Sequence, residues 1–520
     1  MRYAKSGLSP QAEAGAISYP PRQGWDNRKT WLVFSLSLLA WAFLHYQLLR
    51  PSSLAADWAG WRQADTQSMA LGFLESGGDP FHPRVFWGGD GPGFVESEFA
   101  LYPYCTSLIM RLTGPREDVA QLLSIVLVGC SIATLFAQAR RRLGNLAAAA
   151  AALAFASAQS LLYLTTSVQP EPLSMLLAML ALGSYLRWCE TPERWSRLVP
   201  YTVLATLACL VKPTTLQVLI VAVVVLVSDG RTRRHWKVVA FAHAIIVCIG
   251  IAYLLHARHL YLDYGNTFGL LSGGDRKTPL LVHLRHPRIF LSALWLFLQW
   301  GLGIGGAVAL VIVGLRKRLD ALLLALSGAA AVWAVISLRY SSSIGLGSHY
   351  TMFGAVLAGW GAAFAVDALA TCTRRARFVG LSVLGLAIVA QGLISISSRH
   401  AYARRDPNLD PAYAAGVALR RVAKPKDLVV VHSLDVEYDV DWKTLNNYED
   451  PRVFYVSDTR GWAVPTGFSD PARLQQLRAR GARFFVDPVR LPPESPVAGW
   501  LLSHGKIAAR TAQGDIWQLM

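Results

Sequence analysis

"WLVFSLSLLAWAFLHYQLL", residues 31–49, decides what kind of molecule this is. It holds no Asp, Glu, Lys or Arg and is long enough to cross a bilayer as a helix. Ten further apolar segments follow, near 119–138, 146–165, 171–188, 198–212, 214–228, 238–257, 289–314, 320–338, 351–370 and 378–397. Those at 198–212 and 214–228 are short and are divided by Lys212-Pro213, so they read as two tight spans or as a broken hairpin. Across all 520 residues, 53% are hydrophobic and 16% charged, and the mean hydropathy is +0.34. That balance excludes an ordinary soluble protein and predicts an α-helical polytopic membrane protein with about eleven spans.

The net charge of +17 does not point to nucleic acid, because the cations sit in short clusters between apolar segments. Alternate loops read "ARRRLGN" (139–145), "RWCETPERWSR" (187–197), "DGRTRRHWK" (229–237), "RKR" (316–318) and "TRRAR" (373–377), whereas the intervening "TSVQP" (166–170) has no charge. The positive-inside rule then predicts a cytoplasmic N-terminus and an extracytoplasmic C-terminus. Residues 1–30 form a polar cytoplasmic tail, and the first apolar segment, longer than the core of a secretion signal, reads as an uncleaved anchor. The six cysteines form no CxxC pair or Cys/His cluster, which predicts neither a disulfide framework nor a zinc site.

Three segments face outward on this reading: the loop 50–118, the loop 258–288 and the tail 399–520. The tail carries strand-like "LVVVH" (428–432), "VFYV" (453–456) and "RFFVD" (483–487) and the helix-like "DPARLQQLRARG" (470–481), which predicts a small α/β domain. The expected organisation is therefore a membrane domain over 31–398 and an extracytoplasmic domain over 399–520.

Chemistry concentrates in the first outer loop. In "GWRQADTQSMA" (60–70), Asp65 lies beside a loose helical stripe of Trp58, Trp61, Ala64, Met69, Phe73 and Leu74, as an in-plane surface helix would place it. The plainer alternative for Asp65 is a solvated polar face. Further on, "FWGGDGPGFVESEFALYPY" (86–104) supplies Asp90, Glu96 and Glu98, and an extended chain would point the two glutamates the same way. Arg62 and Arg84 lie in the same loop and, like Glu171 below, are candidates for binding the substrate or its phosphate. Acids gathered there can serve as general bases or hold a divalent cation such as Mg or Mn, with Asp65 and Glu98 as the metal pair. Glu171 opens a span in "QPEPL", where the helix dipole favours an acid. Cations at outer span edges, where the charge rule disfavours them, are candidates for holding a phosphate: Lys212 in "VKPTT", Arg258, Lys277 and Arg339, with His349 and Tyr350 in "SHYTMFG". For any one of them the alternative is a snorkelling span end.

This order of features resembles the GT-C glycosyltransferases, in particular the group around the dolichyl-phosphate-mannose protein mannosyltransferases (glycosyltransferase family 39) and the lipid A aminoarabinose transferase. "GWRQADTQSMALGFLESG" resembles the acidic opening of the family's first outer loop, with Asp65 at the acidic position. "VESEFALYPY" resembles its second acidic segment, matching Glu98 or Glu96, and "QPEPL" a further acidic motif. The resemblance implies transfer of a sugar from a polyprenyl-phosphate donor to a glycan, lipid or protein acceptor at the outer face of a bacterial inner membrane. It implies that Asp65, Glu98 or Glu96 are catalytic, and that the displacement inverts the anomeric centre. Two departures stand out: Thr66 follows Asp65 where a second acid is common, and Phe99 follows Glu98 where a lysine is common. If that lysine holds the donor phosphate elsewhere, Lys212, Arg258, Lys277 or Arg339 must do so here. The competing readings are a lipid-linked-sugar flippase, which predicts charges inside spans and duplicated halves, and a surface-glycan polymerase or ligase, which would draw on Asp263 and Asp275.

Overall fold

The computed structural model describes residues 27–271, 291, 294–317, 320–337, 348–439, 444–445 and 448–520. The chain begins with α1 (Asn27–Leu44), wound into a π-turn at His45–Leu49, then α2 (Gly60–Ser76), α3 (Leu101–Thr113), α4 (Glu117–Leu143), α5 (Asn145–Ala156) and α6 (Gln159–Thr165). It continues through α7 (Glu171–Cys189), α8 (Val199–Val211), α9 (Gln217–Ser228), α10 (Trp236–Tyr264), α11 (Gly303–Leu315), α12 (Ala321–Ser337), α13 (Ser348–Ala370) and α14 (Arg374–Ala403).

A helix occupies each of the eleven apolar segments. Among the described residues, seven helices are long and apolar enough to cross a membrane. An eighth candidate is the pair α5–α6, bent by 70° at its break, and three helices are shorter, at Trp195–Val211, Pro213–Ser228 and Ala321–Val332. The centre of the bundle is α13, whose apolar window is 94% buried and packs against the alanine-rich α5. Alanine favours helix and, being small, lets the two backbones approach closely. At Gly359 a Cβ would sit 2.5 Å from Leu135 and 3.1 Å from the Ala151 carbonyl, so the crossing admits no side chain there. By contrast α1 is only 11% buried and stands at the rim.

After α14 comes an α/β domain with α15 (Pro411–Arg420), β1 (Leu428–His432), α16 (Arg452–Ser457), β2 (Arg460–Val464), α17 (Pro471–Ala479), β3 (Phe484–Asp487), α18 (Pro496–His504), β4 (Gly505–Arg510) and β5 (Asp515–Leu519). The sheet order is β2-β1-β3-β5-β4; β1 runs parallel to β2 and β3, and β5 antiparallel to β3 and β4. Side chains alternate across β1, so Val429 and Val431 join one core and Val430 the other.

Two expectations for the tail change. "VFYV" is helical, because Pro451 is preorganised for a helix start and Asp450 accepts the Arg452 N–H at 3.0 Å. The last membrane helix also runs on to Ala403, and Arg399 is fully buried within the bundle rather than opening the tail.

The α/β domain is seated on the long loop between α1 and α4. Met69, Phe73, Phe86 and Trp87 share a core with Leu419, Val453 and Phe454. The loop also extends the sheet: Gly461 donates to the Phe86 carbonyl at 3.0 Å and Gly89 to the Gly461 carbonyl at 2.7 Å. Gly461 has φ 144°, and a Cβ there would lie 1.9 Å from the Val429 carbonyl, so no other residue fits this edge. Ion pairs flank the seam, from Glu75 to Arg460 (2.6 Å) and Lys426 (3.2 Å), and from Asp90 to Arg480.

Candidate active site

The site is built around α2. Gly60 starts the helix where a Cβ would fall 2.1 Å from the Ala55 carbonyl, and Gly77, at φ 82°, ends it in the left-handed conformation. The helix is an anchored, buried element: Gln63, Asp65, Gln67 and Ser68 are all inaccessible or nearly so, while Trp61 remains 44% exposed. Asp65, at 3% exposure, is therefore not on a solvated face.

Trp87 Nε1 donates to Asp65 Oδ1 at 2.9 Å, while Oδ2 is buried with no hydrogen-bond partner among the described residues. Burial pushes the Asp65 carboxyl well above the ordinary carboxylate range, opposed by the Trp87 hydrogen bond and helped by repulsion from Asp450, with Arg62 lowering it and Glu449 raising it.

Asp65 lines a cavity of about 200 Å³ that also holds Arg62, Glu98, Lys212 and Thr214, walled on one side by Phe268–Leu270. Lys212 reaches it because proline disfavours helix in the residue before it: Lys212 leaves α8 with φ −155° and ψ 112° ahead of Pro213. Its ammonium binds Glu98 Oε1 and lies 3.3 Å from Glu171 Oε1. Arg62 Nη2 lies 3.4 Å from Glu98 Oε1 and 3.5 Å from the same Glu171 oxygen. Two cations thus share two carboxylates. Burial alone would raise the Glu98 carboxyl, but Lys212 and Arg62 hold it below the ordinary range. The Glu171 contacts are ion pairs without hydrogen-bond geometry, which leaves a fully buried carboxylate under-satisfied.

Glu96 does a different job. The chain bends at Glu98, so the two glutamates do not face one site. Glu96 is fully buried; Thr267 Oγ1 donates to its Oε2 and the Leu271 N–H to its Oε1 at 2.9 Å, which fixes the segment that walls the cavity. Phe268 of that segment packs edge-on against Trp87 at 5.8 Å. Arg84 does not line the cavity; its guanidinium lies over the Phe94 ring at 4.9 Å. Arg258 is exposed on α10, and Asp263 is exposed and paired with His259 at 3.4 Å. Lys277, Arg339 and Asp275 lie outside the described residues, as do the side chains of His349 and Tyr350.

Behind the cavity stands a cluster that the sequence did not signal. Arg399 makes a bidentate pair with Asp57 at 2.6 and 2.9 Å, donates to Thr166 Oγ1 at 2.9 Å and lies over the Tyr163 ring at 5.1 Å. Gln63 donates to Asp57 at 2.9 Å and accepts from the Val168 N–H at 2.9 Å. Sequence reading also missed Trp87, whose single available signal was its place before the glycine-rich turn.

Among the described residues no group of three His, Cys, Asp or Glu is arranged to hold a metal ion. Glu98, offered above as a metal ligand with Asp65, is instead engaged by two cations, a setting that repels a further positive ion.

A family model described as dolichyl-phosphate-mannose-protein mannosyltransferase matches residues 100–256. No curated protein sequence matches the chain. Among solved structures, ArnT from Cupriavidus metallidurans bound to undecaprenyl phosphate is similar, with a TM-score of 0.60 at 14% identity over 95% of this chain and 98% of that one. An Archaeoglobus fulgidus oligosaccharyltransferase tethered to an acceptor peptide matches with a TM-score of 0.54 at 13% identity, covering 89% of this chain and 69% of the other. The same archaeal enzyme in complex with zinc and sulfate matches at 0.52, with 14% identity over 86% and 67%. The chain has the fold of the GT-C membrane glycosyltransferases, as its resemblance to that group implied.

Proposed function

We propose that the chain transfers a glycosyl unit from a polyprenyl-phosphate donor to a hydroxyl of a glycan, lipid or protein acceptor, on the non-cytoplasmic side and with inversion. The observation that carries this reading is the sharing of one cavity by Asp65, which keeps a buried oxygen unpartnered, and the cation pair Lys212–Arg62. Lys212 stands in for the lysine that Phe99 replaces. A phosphate that reaches the cavity exchanges with Glu98 for Lys212 and Arg62. As the bond from the anomeric carbon to the phosphate oxygen breaks, negative charge grows on that phosphate, and the two cations stabilise it in a site screened from water. The acceptor hydroxyl attacks from the opposite side, and Asp65 Oδ2 takes its proton. Because burial raises the proton affinity of Asp65, it is a stronger base than an exposed aspartate. Trp87 holds the other oxygen and so aims the lone pair. Support comes from the undecaprenyl phosphate found in ArnT. No step here is assigned to a metal; among the described residues no three His, Cys, Asp or Glu side chains gather as a ligand set.

The test supplies polyprenyl-phosphate sugars to the purified protein and measures release of polyprenyl phosphate. Asp65→Asn is expected to abolish turnover while leaving the protein folded; wild-type turnover in that variant removes Asp65 from the reaction. A reporter joined after Met520 is expected to read as extracytoplasmic, and a cytoplasmic signal overturns the proposed sidedness.

A further inference from the structure

A second site shares no residue with the cavity and lies beside α1. The helix proper of α1 packs mainly on α4, and it is the π-turn His45–Leu49 that meets α14. Between α1, α5 and α14 this leaves an apolar groove of about 460 Å³. Its floor is one face of α14, where Leu384, Gly385, Ile388 and Gly392 recur at helical spacing. The two glycines create the depth: a Cβ at Gly385 would meet nothing within 4 Å, and one at Gly392 would meet only Ser157 Cβ, at 3.6 Å. These glycines are therefore not required by close helix packing, the usual reason for glycine on a membrane helix. Leu153 and Ala156, beside the bend between α5 and α6, form the opposite wall, and Trp41 and His45 of the first helix also line the groove. From Leu381 to Ile396 the groove follows α14 for about 22 Å, at about 1.5 Å per residue, longer than the roughly 15 Å hydrocarbon depth of one leaflet and so long enough for an acyl chain.

One end of this groove is not apolar. Leu381 belongs also to an open cleft lined by Arg374, Arg375, Arg377 and Phe378 at the start of α14. All three arginines are exposed. A furrow that accepts a chain thus continues into a cluster of three guanidiniums, groups suited to bidentate binding of phosphate oxygens. We propose that this is a binding site for one anionic glycerophospholipid, with an acyl chain laid along Gly385 and Gly392 and the phosphate held by Arg374, Arg375 and Arg377. The charge complementarity selects the headgroup, and the continuity of cleft and groove through Leu381 joins headgroup and chain into one ligand. The site lies on the face that carries the basic loops, at the opposite end of α14 from Arg399. It is independent of the glycosyl-transfer reading, since none of its residues lines the cavity around Asp65.

The experiment reconstitutes the full chain into nanodiscs of phosphatidylcholine with added phosphatidylglycerol, then releases it stepwise and reads retained lipid by native mass spectrometry. One phosphatidylglycerol is expected to survive on the wild type. The triple variant Arg374→Gln, Arg375→Gln, Arg377→Gln should lose the preference for phosphatidylglycerol by roughly tenfold or more. The double variant Gly385→Leu, Gly392→Leu should lose the retained lipid altogether with its unfolding temperature in lipid-free detergent unchanged. Should that variant not fold, Val389→Trp, which fills the groove from an exposed position, gives the same reading. Equal retention of both lipids by the wild type, or undiminished phosphatidylglycerol on the groove-filled protein, overturns the site. So does retention of added polyprenyl phosphate in place of phosphatidylglycerol.

Discussion

Two buried charge clusters touch the same helix and are finished differently. Arg399 and Asp57 meet bidentately, Thr166 and Gln63 fill further valences, and Tyr163 covers the guanidinium. Around the cavity, Arg62 and Lys212 are shared between Glu98 and Glu171, the Glu171 contacts fall short of hydrogen bonds, and Asp65 keeps one oxygen unmatched. Burial of charge is costly unless pairing and hydrogen bonding are complete. The complete cluster holds the start of α2 to α14 and to the loop before α7, which is a structural task. The incomplete one is tolerable if a ligand completes it.

The sharpest way to break this contrast is Asp65→Asn. It is expected to lower turnover by about 10²–10⁴-fold, the usual worth of a positioned base, with little change in unfolding temperature. The opposite pattern is expected for Arg399→Met: a loss of about 3–5 kcal/mol in stability, because Asp57 is left charged and buried, measured by denaturant unfolding in detergent. Adding Asp57→Leu should recover much of that loss; if it does not, the Arg399–Asp57 pair is not what holds the start of α2 to α14. Lys212→Gln should weaken donor use by about 10–100-fold, an effect of a few kcal/mol from a lost charge-assisted contact, visible in KM for the polyprenyl-phosphate sugar. The smallest expected effects sharpen the picture of Asp65. It works deprotonated and its carboxyl is raised, so activity should climb with pH through a midpoint above the ordinary carboxylate range. Trp87→Phe removes a hydrogen bond that favours the anion and should move that midpoint up. Glu449→Gln removes a repulsion and should move it down. A midpoint that ignores both substitutions separates the pH profile from Asp65.

Much of this was legible in the chain. Apolar length located eleven segments that the structure makes helical, though not α3, and "VKPTT", "QPEPL" and "VESEF" supplied Lys212, Glu171 and Glu98, three members of the site. The local geometry of Lys212 was legible too, because proline alone bends the residue before it out of a helix. The opposite fates of Glu96 and Glu98 were not, since Glu96 is tied to residues 266–271 and Glu98 to Lys212 beside Leu210, partners far along the chain. Nor was the helix at 452–457, where a β-like composition yields to a proline start and to packing on α2.

By itself, then, the sequence determined a polytopic helical protein, an α/β domain after the last long helix, and the residue types gathered at the loops. Hydropathy, charge spacing and proline act locally, so a linear reading captures them. The tertiary structure alone decided that Asp65 is buried under Trp87, that Arg62 and Lys212 converge on shared carboxylates, and that Arg399 reaches back to Asp57. Those outcomes depend on which distant groups meet in a space without water, and there the energy of a charge is set by its neighbours rather than by its place in the chain.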